Sequence, residues 1–168
     1  AVEEARDRVS AAIKNSGFKS PKANNHKIVV SLAPAEIKKE GPSFDLAIAL
    51  SFLVANDEIE FDPEKKLFLG ELSLDGKLRP IRGTLLLAEA ARKAGLTEIF
   101  VPEGNTREAA LVSGITVYGA RTLREVIEHL DEETPLTLAT CVRERNEGAP
   151  NANEHNVDLA HVKGQEFA

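Results

Sequence analysis

The longest apolar pattern in the chain runs from Phe44 to Val54, where only Asp45 and Ser51 are polar. A helix apolar on nearly every side predicts burial at the centre of a domain. Gly41 and Pro42 punctuate the backbone ahead of it, and Ser43 falls where a helix N-cap belongs. Residues 2–16 alternate differently: Val2, Ala5, Val9, Ala12 and Ile13 share one helical face, and Gly17 is placed to stop the helix. The run Lys27 to Leu32 is rich in β-branched residues and predicts a strand ended by Pro34. The core helix is expected to end near Asn56, with that residue in the left-handed conformation.

After an acidic loop, Leu67 to Leu74 predicts one strand, Asp75-Gly76 a tight hairpin turn, and Lys77 to Ile81 the returning partner. Helices over 84–94, 106–112 and 123–130 alternate with strands at 98–101 and 115–118, a pattern that predicts parallel pairing beside the antiparallel hairpin. Beyond Leu130 the periodicity fails. Residues 131–168 carry eight acidic and three basic side chains with few large apolar ones, so the expected organisation is a domain over 1–130 and an acidic linker over 131–168.

With 168 residues, this is about one domain with room for a real core. No run approaches the ~20 apolar residues of a membrane span, so no membrane association is expected. The single cysteine, Cys141, makes a cytoplasmic setting the default. The chain opens on Ala1 and holds no methionine, which is expected of a piece of a longer protein. The acidity lies mostly at its end, so bulk charge neither requires nor excludes nucleic acid.

Ser43 has three readings: a helix cap, a nucleophile that would need a base within hydrogen-bond reach, or part of an anion site at a helix end. Asp45, two residues on, complements the same helix dipole. The histidines His26, His129, His155 and His161 match no metal-ligand spacing with Cys141, so no metal site is expected. No GxxxxGK[ST] phosphate loop occurs, and no cofactor is expected in this stretch. Lys19, Lys22, Lys27, Lys38 and Lys39 offer a weak basic patch that could track a phosphate backbone or form a solvated face.

Several phrases, in order, carry a resemblance. They include Ala11-Ala12-Ile13-Lys14-Asn15-Ser16-Gly17-Phe18, Ser31-Leu32-Ala33-Pro34-Ala35, Phe68-Leu69-Gly70-Glu71-Leu72 and Arg79-Pro80-Ile81-Arg82-Gly83. Over Val9 to Leu130 the chain resembles the N-terminal domain of the magnesium-chelatase-related AAA+ proteins, the ComM/YifB group. More distantly it is similar to the proteolytic domain of Lon. That likeness implies an α+β fold of the ribosomal protein S5 domain 2-like class, a mixed sheet packed with helices.

Gly41-Pro42-Ser43 matches the phrase holding Lon's nucleophilic serine, and the position of its catalytic lysine falls on Leu85. A leucine cannot take a proton from a hydroxyl, so the resemblance implies a non-catalytic domain, with Leu85 expected to pack against the helix that follows Ser43. It further implies an AAA+ module using ATP and Mg, a hexameric ring of neighbouring subunits, and DNA branch migration in recombination and natural transformation. The rival readings are a Ser-Lys peptidase and a platform that binds DNA or protein.

Overall fold

The computed structural model describes residues 2–19 and 42–138. Helix α1 spans Val2–Asn15 and α2 spans Asp45–Ala55. Then come β1 (Lys66–Phe68), β2 (Glu71–Leu72), β3 (Leu78–Arg79), α3 (Thr84–Lys93) and β4 (Glu98–Pro102). A short 3-10 turn leads into α4 (Thr106–Ala109), followed by β5 (Thr116–Ala120) and α5 (Leu123–Leu130). Strands β1, β4 and β5 form a parallel sheet in the order β1-β4-β5, and β2 and β3 form a separate antiparallel ribbon. The expected mixture of parallel and antiparallel pairing is present, divided between two sheets among the described residues.

Alternation along β4 separates two packed layers. Phe100 points into a cluster with Val9, Ile13, Leu46, Leu50, Leu53, Leu123 and Val126, which belongs to α1, α2 and α5. Its neighbours Ile99 and Val101 point the other way, toward Ala88 of α3 and Ala109 of α4. Rings in register across the sheet stack along it: Phe68 on Phe100 at 4.8 Å and Phe100 on Tyr118 at 4.9 Å.

Helix stops follow one device. In α1 the Gly17 amide bonds the Lys14 carbonyl and the Phe18 amide bonds that of Ile13, the paired bonds of a Schellman motif, with Gly17 left-handed. Helix α3 ends in the same way at Gly95. In α2 the left-handed residue is Asp57, while Asn56 keeps φ −107°, so the stop lies one residue beyond the expected one.

Two further expectations change. The strand predicted over 67–74 is broken at Gly70, whose φ of +156° turns the chain from the parallel sheet into the ribbon. A Cβ there would meet Leu78 Cδ2 at 2.7 Å, so only glycine fits this junction. Helix α2 buries Leu46, Ala49, Leu50 and Leu53, but Val54 is 40% exposed, so its burial is one-sided. The strand expected at 27–32 lies outside the described residues. After α5 the chain reverses, and Leu138 makes an antiparallel bridge to Tyr118.

Candidate functional site

The Ser43 turn is fixed from both sides by backbone. Pro42 O accepts from the Asp45 amide at 3.1 Å, and Ser43 O accepts from the Gly70 amide at 2.9 Å. Gly70 O in turn accepts from Leu46 N at 3.1 Å. The glycine that breaks the strand therefore also clamps the start of α2. This arrangement overturns the cap reading. The N-cap residue is Phe44 and no side chain caps the helix; the carbonyls of Pro42 and Gly70 satisfy amides that a serine oxygen would have taken. Phe44 itself packs into the cluster of Ile81, Ala88 and Ile99.

Asp45 does more than complement a dipole. It is buried, and its carboxylate accepts from Arg8 Nε at 3.0 Å, from Arg8 Nη2 at 3.4 Å and from the Leu72 amide at 3.3 Å. One side chain thus ties α1, α2 and β2 together. Nothing in the sequence signals a pair 37 residues apart, because both partners fall on helices whose relative placement is a tertiary fact.

The position that the Lon likeness assigns to the lysine is the second residue of α3. Leu85 is 36% exposed and belongs to neither core cluster, so the expected packing against the Ser43 helix is replaced by that of Phe44. The Leu85 amide donates to Glu108 Oε1 at 3.0 Å, so a carboxylate of α4 already occupies the amide end of α3. Thr84, one residue earlier, is fully buried, and its hydroxyl has no partner among the described residues.

Two lysines that could serve as a substitute base, Lys77 after the ribbon turn and Lys93 at the end of α3, each pair with a carboxylate of their own segment. Lys77 pairs with Asp75 at 2.8 Å, and Lys93 with Glu89 at 3.3 Å. The Lys77 and Ser73 hydrogen bonds hold the Asp75 carboxyl well below the usual carboxylate range. Among the described residues no base is hydrogen-bonded to the half-buried Ser43.

Of the weak basic patch, Lys19 is described, and it pairs with Glu58 at 3.4 Å. Lys22, Lys27, Lys38 and Lys39 lie outside the described residues, as do His26, Cys141, His155 and His161. Among the described residues no group of three candidate ligands could hold a metal ion, and no helix is long and apolar enough to cross a membrane. His129 sits at the end of the aromatic stack, 4.6 Å from Tyr118 and 5.5 Å from Phe100. With Phe61, Lys66 and the carboxylates of Glu60 and Asp62 it lines an open groove of about 600 Å³.

Fold and site define a mixed α/β domain in which a serine-bearing turn is locked to a parallel sheet. The chain belongs to the magnesium-chelatase-like ChlI family: residues 1–105 match the family described as subunit ChlI of Mg-chelatase. It is 38% identical to the competence protein ComM of Haemophilus influenzae over 169 residues, which is 99% of this chain and 32% of that protein. The uncharacterized protein YifB of Escherichia coli is 36% identical over 98% of this chain and 31% of its own length. Lon protease 2 of Thermus thermophilus is 28% identical over 95% of this chain and 20% of that protein. The chain thus spans about a third of the ComM and YifB relatives.

Proposed function

We propose that this chain is the non-catalytic N-terminal domain of a magnesium-chelatase-like AAA+ ATPase, of the S5 domain 2-like fold. The intact protein would be a hexameric, ATP-dependent DNA branch-migration motor of the cytoplasm, acting in recombination and natural transformation. The observation that carries this reading is the identity to a competence protein over almost the whole chain. ATP and Mg would be bound by the AAA+ module rather than by these residues, because the sequence holds no phosphate loop. Partners would be that module, neighbouring subunits and DNA.

The non-catalytic assignment is supported by the absence of a base at position 85 and by the engagement of Lys77 and Lys93 with their own carboxylates. A serine without an activating base is a weak nucleophile. The test uses the intact protein with ATP, Mg and a four-way DNA junction. Movement of the branch point that stops when ATP is withheld is expected. Robust ATP hydrolysis with no action on branched DNA would overturn the motor assignment.

A further inference from the structure

The eight residues after α5 return onto the molecule through one side-chain acceptor. The helix closes with Glu132 in the left-handed conformation, and the amides of Glu133 and Thr134 both bond the Glu128 carbonyl. The chain then runs back along the end of α5, where the Leu136 amide donates to His129 Nδ1 at 2.9 Å. Leu136 packs against the core cluster, and Leu138 bridges Tyr118 on the outer edge of β5. An open strand edge carries unpaired backbone groups, and this return covers part of one.

We propose that residues 131–138 form a strap latched by His129, and that the latch opens when the imidazole takes up a second proton. An imidazole accepts at Nδ1 only while that nitrogen is unprotonated, so the latched form carries its single proton on Nε2. In the doubly protonated ring both nitrogens donate, and the Leu136 amide would face another N–H. The proton is taken from water and no other group changes.

The surroundings place the transition on the acid side of the ordinary imidazole value. Burial in the aromatic stack lowers the His129 pKa, Glu98 of β4 raises it and Lys66 of β1 lowers it again. Lys66 and Glu98 pair at 3.8 Å, which mutes both effects. Tyr118 faces the ring from β5 as a neutral phenol, its pKa raised mainly by burial. Glu60 and Asp62 from the loop before β1, and Asp131 and Glu132 from the strap, line the same groove as His129. Burial is the largest of these influences, so the net direction is downward.

The test follows the Leu136 and Leu138 amides of the whole chain by hydrogen exchange, with the His129 ring nitrogen shifts recorded in the same samples from pH 7.5 to 5. Latched molecules should show an unprotonated Nδ1. The Leu136 protection factor should fall by about tenfold or more as the ring titrates. His129→Asn, whose side-chain oxygen can accept near the same place, should keep the protection and lose its pH dependence. Leu136→Pro removes the donor, and the ring pKa should then rise toward the ordinary value. Protection that stays constant through the ring titration, or that falls equally in His129→Asn, would overturn the proposal.

Discussion

Asp45 and Ser43 sit two residues apart and have opposite weights. Asp45 is a buried carboxylate whose charge is balanced by Arg8, so Arg8→Ala strands it with the Leu72 amide. Removing one partner of a buried pair costs about 3–5 kcal/mol, and the partial exposure of Arg8 places this case near the lower figure. Urea unfolding should show that loss, and adding Asp45→Asn should recover part of it. Ser43→Ala, by contrast, should change stability by less than about 0.5 kcal/mol, because its oxygen caps no helix. A loss of about 1–2 kcal/mol would restore the capping role. The sequence pointed to this turn, and of the three roles it left open for Ser43 the structure removes the helix cap. A serine before an apolar run is a sound cap signal, but it carries no information about carbonyls brought in from Gly70.

At the scale of elements, most of the order was legible, since helical periodicity, the Asp75-Gly76 turn and the glycine stops are local properties. The hairpin pairs Glu71 with Arg79 and Leu72 with Leu78, across the turn expected of it. What local pattern could not supply was the break at Gly70, where one apolar run serves two sheets. Gly70→Ala should destabilise by about 2 kcal/mol or more, since it combines an unfavourable φ with a 2.7 Å clash on Leu78. Thermal unfolding reads this directly. A local capping signal is also present at α5. Thr122 accepts from the Glu125 amide at 3.1 Å, and Glu125 reaches back to the Arg121 amide at 2.7 Å. Thr122→Ala should cost about 1 kcal/mol.

For the whole molecule, pH acts on stability through His129. Its folded pKa lies below the ordinary 6.5, so the folded protein binds fewer protons than the unfolded chain between those two values. That contribution is complete above pH 6.5 and declines as the pH falls toward the folded value. His129→Asn should flatten this part of a stability profile measured in urea. The histidine was invisible as a participant in the sequence, where four scattered histidines suggested none. Its place depends on the stack of Phe68, Phe100 and Tyr118, which only parallel pairing assembles.

The central claim is that a Lon-like scaffold here holds a serine without a working base. Labelling of the intact protein with a serine-directed fluorophosphonate, in the presence of ATP and Mg and beside a Ser43→Ala control, tests it most directly. The account predicts no Ser43-dependent adduct at reagent concentrations that saturate a Ser-Lys peptidase. Stoichiometric labelling that disappears in Ser43→Ala would contradict it and make the domain a peptidase.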